Sequence, residues 1–193
     1  AYPDIYKFKY PKVGEVNSTL SVWCYNLKSK KSDQINTGID PSIDSYYPRI
    51  KWTKSNEELV ITWMNRWQNH LKLLLYNSSN KQVSTLLEEK NKYYIELTDH
   101  LIFLKNGKEF LWMSEQDGTN HLYLYDMKGK LIRQITTGKN EITDFYGFDG
   151  NEAKLFFQMS EENGLERKIY SINKDGTGLS CLDKKSGNHS VQM

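Results

Sequence analysis

Short runs of apolar residues, each ending in Asn or Asp, recur along the chain at a nearly constant interval. One series comprises Leu20–Asn26, Leu71–Asn77, His121–Asp126 and Lys168–Asn173. The last residues of these runs lie 51, 49 and 47 positions apart. A second series precedes it in each unit, at Val60–Asn65, Glu109–Ser114 and Lys154–Ser160. Short runs rich in β-branched and aromatic residues predict strands, so the chain is predicted to be all-β.

Turn residues separate the runs, and each repeating unit contains four predicted strands. In the best-defined unit the predicted strands are Ile95–Leu104, Glu109–Ser114, His121–Asp126 and Leu131–Thr136. Asn106-Gly107 and Lys128-Gly129 supply the left-handed backbone positions that tight hairpins need. The same order of strands and turns is predicted for the unit before and the unit after.

A period of 46 to 51 residues with four strands per unit is typical of β-propeller blades, because one such sheet must stack on its neighbours to bury both faces. We predict a partial propeller with three complete antiparallel blades and a partial blade at each end. The predicted ranges are 1–38 for a leading segment and partial blade, 39–92, 93–138 and 139–186 for three blades, and 187–193 for the start of another. An antiparallel sandwich with evenly spaced strands is the alternative.

Three blades are fewer than the four to eight that close a propeller, and an open arc would expose unpaired edges and apolar faces. The chain is therefore expected to be a fragment of a larger protein.

Composition excludes several function classes. The 26 basic and 24 acidic residues leave a net charge of +2, which does not favour a nucleic-acid partner. Cys24 and Cys181 are far apart and show no metal-ligand spacing, so neither a zinc site nor a disulfide framework is predicted.

Motifs for catalysis are also missing from the sequence. No Gly-x-Ser-x-Gly elbow occurs, so no catalytic residue is assigned. The histidines, His70, His100, His121 and His189, lack metal-ligand spacing and are expected at the surface or at strand ends. We predict no metal and no cofactor.

Two sets of conspicuous residues receive structural interpretations. The acidic pairs are expected to be solvated turns: Glu57-Glu58, Glu88-Glu89 and Glu161-Glu162. Four tryptophans are expected to pack in the core, with Trp63 and Trp112 between blades: Trp52, Trp63, Trp67 and Trp112.

Several segments resemble the propeller of the dipeptidyl peptidase IV family. The segment Tyr10-Pro11-Lys12-Val13-Gly14-Glu15-Val16-Asn17 is similar to the family's Tyr-Pro-Lys-x-Gly-x-x-Asn motif. Trp63 to Asn69 is similar to its Trp-x-x-Arg-x-Gln-Asn ending, and Phe110 to Tyr125 resembles a later blade. The resemblance spans nearly the whole chain.

The resemblance implies an eight-bladed propeller seated on an α/β-hydrolase domain that removes dipeptides from amino termini, preferring proline or alanine second. The hydrolase domain, which carries the serine, aspartate and histidine, follows the propeller in the family and has no counterpart in this chain. The implied partners are that domain and a peptide substrate, and the resemblance leaves open that the parent is a homodimer. The implied location is periplasmic or extracellular.

The resemblance also points to candidate substrate-binding residues. The family has an aromatic and a basic subsite residue on the segment that enters the blade containing Phe110. Alignment on Asn106-Gly107 places Ile95 and Glu96 at those positions, and neither residue type matches. The family's adjacent glutamates, which bind the substrate ammonium, belong to a blade before this chain begins.

Two functions follow as hypotheses. The first is a non-catalytic part of a serine dipeptidyl peptidase that shapes and gates the substrate cavity. The second is a propeller that binds protein or peptide partners without catalysis, because the fold alone does not specify function. A parent that has lost catalysis is a third alternative.

Overall fold

The computed structural model describes residues 2–8, 12–161 and 164–192. Within these ranges no helix is present, and hence none that could span a membrane. The strands, in chain order, are β1 Trp23–Asn26, β2 Lys31–Gln34, β3 Ser45–Trp52, β4 Glu58–Asn65, β5 His70–Asn77, β6 Val83–Lys90, β7 Ile102–Phe103, β8 Glu109–Ser114, β9 His121–Asp126, β10 Leu131–Gln134, β11 Ile142–Phe148, β12 Lys154–Ser160, β13 Arg167–Asn173 and β14 Ser180–Cys181.

Consecutive strands pair antiparallel and form separate sheets. β1 and β2 make a two-stranded sheet, and β3–β6, β7–β10 and β11–β14 make three four-stranded sheets. We call these the first, second and third sheets. They confirm the predicted all-β class with three complete four-stranded units and a partial one before them. The residue ranges given to the blades remain a prediction.

The central strands of each sheet are buried on both faces. In β4, Leu59, Ile61 and Trp63 pack towards β1 and β2, whereas Val60 and Met64 pack towards the second sheet. Alternate side chains of a strand point to opposite faces, so a strand that is apolar throughout needs a neighbour on each side. This arrangement is a stack of sheets and excludes the two-layer sandwich.

Three apolar clusters fill the spaces between successive sheets. The cluster before the first sheet contains Ile35, Leu59, Ile61, Trp63, Leu74 and Tyr76. The cluster between the first and second sheets contains Val60, Met64, Leu71, Leu73, Leu86, Leu87, Ile95, Leu101, Phe103, Phe110, Trp112, Tyr123 and Tyr125. The cluster between the second and third sheets contains Leu104, Leu111, Met113, Leu122, Leu124, Ile135, Ile142, Phe145, Leu155, Phe157, Met159 and Ile172. Trp63 and Trp112 lie between sheets, as predicted.

Hairpin glycines bring successive sheets into backbone contact. Gly129 has φ 82°, and a Cβ built there would lie 2.0 Å from the carbonyl oxygen of Leu86 in the preceding sheet. Gly176, one unit later, has φ 82° and would place a Cβ 3.2 Å from the carbonyl oxygen of Ile135. Both turns dock on the last strand, or its continuation, of the preceding unit. Glycine is therefore required at position 129 by space as well as by conformation.

Two predictions about elements were wrong. The predicted strand Ile95–Leu104 is reduced to Ile102–Phe103, because the backbone before it forms an irregular connection that still buries Ile95 and Leu101. Trp52 and Trp67 are 50% and 82% exposed, whereas core packing was expected. Trp52 is the last residue of β3 and Trp67 lies at a hairpin tip, and neither position faces an inter-sheet cluster.

Some predicted features fall outside the described residues. These are Tyr10 and Pro11 of the first family-like segment, Glu162 of the last acidic pair, and Met193. Ser190–Gln192, expected to begin another blade, are in no strand.

Candidate functional site

One side of the stack carries the connections that enclose a cleft. Antiparallel strands place the β4–β5 hairpin, the β6–β7 connection and the β8–β9 hairpin at the same edge. The β6–β7 connection, residues 91–101, is the longest of these three and crosses from the first to the second sheet. We call this side the cleft face.

The cleft has a volume of about 510 Å³ and opens at the junction of the first and second sheets. It is lined by Glu88, Glu89, Lys90, Asn91, Tyr94, Ile95, Glu96, Leu97, Thr98, Asp99, His100, Met113, Ser114, Glu115, Gln116, Asn120 and Thr143. The β6–β7 connection therefore forms one wall, and the ends of β6 and β8 form the others. This volume is within the range of small-molecule and peptide sites.

Contacts to the first sheet fix the β6–β7 connection in place. The amide of Ile95 donates to the carbonyl oxygen of Gln68 at 2.8 Å. Lys51 Nζ, from β3, donates to the carbonyl oxygen of Leu101 at 2.7 Å. The guanidinium of Arg49 pairs with the carboxylate of Asp99. The wall of the cleft is thus held at both its ends.

The two predicted site residues lie together in this wall but differ in exposure. Ile95 and Glu96 both line the cleft. The Ile95 side chain is 7% exposed and packs in the cluster between the first and second sheets. Glu96 is exposed, so its carboxylate is available to a bound molecule. Packing is the main role of Ile95, and Glu96 is the candidate for contact with a ligand.

Glu89 is a cleft residue that sequence reasoning missed. Trp112 Nε1 donates to Glu89 Oε1 at 2.7 Å, and the Ser114 side chain also bonds to it. Burial raises the pKa of Glu89 above its usual value, although these two hydrogen bonds oppose the shift. The expectation of a solvated turn was wrong for Glu89, because β6 extends to Lys90 and turns this side chain towards the second sheet.

The adjacent Glu88 points the other way, as alternation along a strand requires. Its Oε1 lies 2.6 Å from His70 Nε2 and 3.1 Å from Lys90 Nζ. Hydrogen bonds from His70 and Lys90 lower the pKa of Glu88. The different surroundings of the two glutamates can be predicted only when both are assigned to the same strand, because adjacent residues of a strand face opposite sides.

His100 links the cleft to the third sheet. Its Nε2 lies 3.4 Å from Asp144 Oδ1 in β11. Burial lowers the pKa of His100, and the charges of Asp144 and Asp99 oppose that shift. His121, in contrast, is buried at the start of β9 with Nδ1 3.1 Å from Thr136 Oγ1, so it is at a strand end but not at the surface.

The cleft is predominantly acidic. Glu89, Glu96, Asp99 and Glu115 contribute carboxylates to its lining, and Lys90 and His100 contribute basic side chains. The carboxylate of Glu88, which also borders the cleft, is paired with His70 and Lys90, and that of Asp99 is paired with Arg49. Such a lining favours a cationic ligand, such as a peptide ammonium, over a phosphate. No group of three His, Cys, Asp or Glu side chains suited to a metal ion occurs in residues 2–8, 12–161 and 164–192.

Comparison with known families identifies the chain. The model of the dipeptidyl peptidase IV (DPP IV) N-terminal region matches residues 1–193. The chain belongs to the dipeptidyl peptidase IV family. The family predicted from the sequence is thus confirmed.

Individual dipeptidyl peptidases agree with this assignment. The chain is 27% identical over 200 residues to dipeptidyl peptidase 4 of Arthroderma otae, covering all of this chain and 26% of that protein. It is 25% identical over 187 residues to the inactive dipeptidyl peptidase 10 of Mus musculus, covering 91% of this chain and 23% of that protein. The chain therefore spans about a quarter of these relatives' lengths.

A solved relative confirms the fold. The crystal structure of Porphyromonas gingivalis dipeptidyl peptidase 4 superposes with a TM-score of 0.86 at 35% identity, covering 95% of this chain and 26% of that one. The stack of four-stranded sheets is therefore part of a DPP IV N-terminal propeller, as the period of the sequence predicted.

Proposed function

We propose that this chain is the non-catalytic propeller portion of a serine dipeptidyl peptidase. In this proposal residues 39–92, 93–138 and 139–186 are consecutive blades that shape and gate the cavity from which Xaa-Pro or Xaa-Ala dipeptides are removed. A hydrolase domain outside this chain supplies the serine, aspartate and histidine. The match of the whole chain to the DPP IV N-terminal region carries the proposal.

The acidic cleft gives the proposal a physical basis in the structure. A peptide amino terminus is a cation, and Glu96 and Glu115 line the cleft. Carboxylates at a partly enclosed site attract such a cation more strongly than the same groups in open solvent. The cleft would attract the amino end of a peptide by its charge, while the adjacent glutamates that bind the ammonium in the family would lie in an earlier blade and the bond-breaking groups in the partner domain.

Location and assembly are part of the same proposal. We expect the parent protein to be periplasmic or extracellular, and analytical ultracentrifugation would determine whether it is a homodimer. A relative named venom dipeptidyl peptidase 4, from Vespula vulgaris, is 27% identical over 199 residues, covering 93% of this chain and 25% of that protein. That name is consistent with a secreted parent.

The test compares the longer parent protein with the isolated chain on a chromogenic Xaa-Pro substrate. We expect hydrolysis by the parent alone, inhibited by a fluorophosphonate that labels an active-site serine. Hydrolysis by the purified chain of 193 residues would contradict the proposal.

A second candidate function is peptide or protein binding by a parent that lacks catalysis. The similarity to the inactive dipeptidyl peptidase 10 of Mus musculus favours it. In that case the parent would neither hydrolyse the substrate nor react with the fluorophosphonate, but would still bind peptides with a free amino terminus more tightly than acetylated peptides.

A further inference from the structure

Trp63 is a buried tryptophan whose indole N–H group has no acceptor in the described part of the chain. The residue is 2% exposed and packs in the cluster before the first sheet. No atom of residues 2–8, 12–161 and 164–192 accepts a hydrogen bond from Trp63 Nε1. A buried donor that has given up water without gaining a partner is unfavourable, so an acceptor that reached this group would be bound favourably.

The equivalent tryptophan of the next unit shows which acceptor fits. Trp112 lies 49 positions later, at the same place in β8 as Trp63 in β4. Trp112 Nε1 donates to Glu89 Oε1 at 2.7 Å. β6 extends to Lys90 and brings Glu89 to that indole, whereas β2, the last strand before the first sheet, ends at Gln34. The first unit therefore repeats the donor but not the strand end that carries the carboxylate.

A cavity of about 340 Å³ lies beside Trp63, between the connection that follows β2 and the ends of β4 and β5. Ile39 and Ile43 form an apolar part of its lining. Asp40 also lines it, but the carboxylate of Asp40 is engaged elsewhere, since its Oδ1 accepts from the amide of Ser42 at 2.9 Å. The cavity shares no lining residue with the acidic cleft, which lies one unit further along.

Lys72 supplies a positive charge to this cavity. It stands opposite Trp63 in the pairing of β4 with β5, and its Nζ lies 5.9 Å from the centre of the indole ring. Its contact with Glu88 Oε1 is long, at 3.9 Å, and that oxygen lies 2.6 Å from His70 Nε2. The corresponding cross-strand position of the second unit holds the neutral Tyr123. The first unit thus has a cation where the second has none, and the second has a carboxylate where the first has none within the described residues.

We propose that the cavity beside Trp63 binds a carboxylate on a short hydrocarbon chain. The bound carboxylate takes the place that Glu89 has in the second unit: it accepts from Trp63 Nε1, and Lys72 balances its charge. Ile39 and Ile43 cover the hydrocarbon chain. Two sources share this chemistry, a free short-chain acid and a glutamate side chain of a peptide. Binding here is independent of the proposed peptidase function.

The indole N–H resonance of Trp63 tests this proposal in the longer parent protein, labelled with ¹⁵N-tryptophan. Propionate is the probe, because it carries the carboxylate and the two-carbon chain of a glutamate side chain. We expect the Trp63 proton to move downfield and to saturate, while the Trp112 proton, already bonded to Glu89, stays in place. Spectra of Trp63→Phe and Trp112→Phe assign the two resonances.

Propionamide is the neutral control, since it keeps an acceptor oxygen and loses the charge. We expect it to bind about fivefold more weakly than propionate, because hydrogen bonds to an ionised acceptor are stronger. A Trp63 resonance that does not respond to propionate, or that responds equally to propionamide, would overturn the proposal. A Trp112 resonance that moves together with that of Trp63 would also overturn it.

Two capped tripeptides distinguish the sources, one with glutamate between two glycines and one with glutamine. Tighter binding of the glutamate peptide than of propionate supports the site and assigns it to an acidic peptide segment. Tighter binding of propionate supports the site and assigns it to a free acid. Equal binding of the glutamate and glutamine peptides contradicts a carboxylate site.

Lys72→Gln tests the charge without removing a core ring. It should weaken propionate binding about fivefold, because it removes the nearby positive charge, and should leave propionamide binding unchanged. Lys81→Gln is the matched control: it removes an exposed lysine at the opposite edge of the same sheet, where Lys81 pairs with Asp33. Equal propionate affinity in the two variants would count against the carboxylate site.

Discussion

Gly129 shows how a single residue sets the distance between two sheets. At φ 82° it turns the β9–β10 hairpin, and its Cα hydrogen faces the carbonyl oxygen of Leu86 at a distance that a methyl group cannot occupy. Gly118, in the β8–β9 hairpin, has a similar φ of 95° but open space around the position of a Cβ. A comparison of alanine substitutions at these two glycines therefore separates the cost of a left-handed conformation from the cost of a steric clash.

Gly129→Ala is expected to destabilise the protein more than Gly118→Ala. The left-handed conformation costs about 1–2 kcal/mol at either position, and overpacking against Leu86 adds about 1–3 kcal/mol at position 129 alone. Urea unfolding of the two variants measures the difference. Equal losses would show that the second sheet can move away from the first at little cost.

Glu89 is expected to make the free energy of unfolding fall as the pH rises. Its pKa is raised in the folded protein, so the folded state keeps the proton to a higher pH than the unfolded state does. The fall begins near the ordinary glutamate pKa of about 4.3, continues through the raised pKa, and ends above it.

Glu89→Gln should abolish this fall, because glutamine carries no proton that titrates and still accepts a bond from Trp112. Glu88→Gln is the control of opposite sign: its pKa is lowered, so its contribution is present above the ordinary value and lost as the pH falls through the lowered one. Denaturant unfolding at several pH values checks both variants. If the free energy of unfolding of the Glu89 variant still falls as the pH rises, another group must be responsible for that fall.

At the scale of elements, the β6–β7 connection is ordered by apolar contacts more than by charge. Ile95 and Leu101 are 7% and 6% exposed and pack in the cluster between the first and second sheets. The ion pair of Arg49 with Asp99 is solvent-exposed, and such pairs contribute about 0–1 kcal/mol. The wall of the cleft is thus an irregular segment with a buried apolar side.

Ile95→Ala should reduce the free energy of unfolding by about 2–5 kcal/mol, because it leaves a cavity in the core. Glu96→Ala should change it by less than about 0.5 kcal/mol, since the side chain is exposed. The Glu96 variant is expected instead to weaken binding of peptides with a free amino terminus. Calorimetric titration and urea unfolding separate the two effects, and a large loss of stability in the Glu96 variant would contradict the division of roles.

The same elements show what the sequence can predict. β4 and β8 were predictable, because each is a short continuous apolar run bounded by turns, and its two faces are covered by sheets of the same repeat. The prediction of a strand at Ile95–Leu104 was wrong because Ile95 and Leu101 are buried from an irregular segment. Their apolar pattern resembles that of a strand but does not require strand pairing. Glu89 was missed for the complementary reason, since a carboxylate beside a lysine-rich segment looks solvated until the Trp112 donor is placed next to it.

At the scale of the whole molecule, the stack repeats one contact from unit to unit. Phe110 stacks on Tyr125 with ring centroids 5.3 Å apart, and Phe157 stacks on Tyr170 at 6.2 Å. Both phenylalanines face the preceding sheet, and they lie in different clusters. A substitution in one inter-sheet space should therefore not alter the energetic effect of a substitution in the other.

Phe110→Leu and Phe157→Leu are expected to destabilise by about 1–3 kcal/mol each. Their effects should add to within about 0.5 kcal/mol, because the two residues share no neighbours. Phe110→Leu with Tyr125→Leu, in contrast, should be non-additive, since those rings touch. Double-mutant cycles by urea unfolding measure both sums, and coupling between positions 110 and 157 would show that the sheets respond together.

We call the space between two successive sheets a seam. Each central strand is buried on both faces and therefore borders two seams, so residues next to each other in such a strand lie in different seams. Phe110 faces the seam before the second sheet, and Leu111 faces the seam after it. A fluorinated label at position 110 and another at position 111 would read out the loosening of two separate seams from one strand. The order in which a propeller comes apart can thus be followed with probes one residue apart.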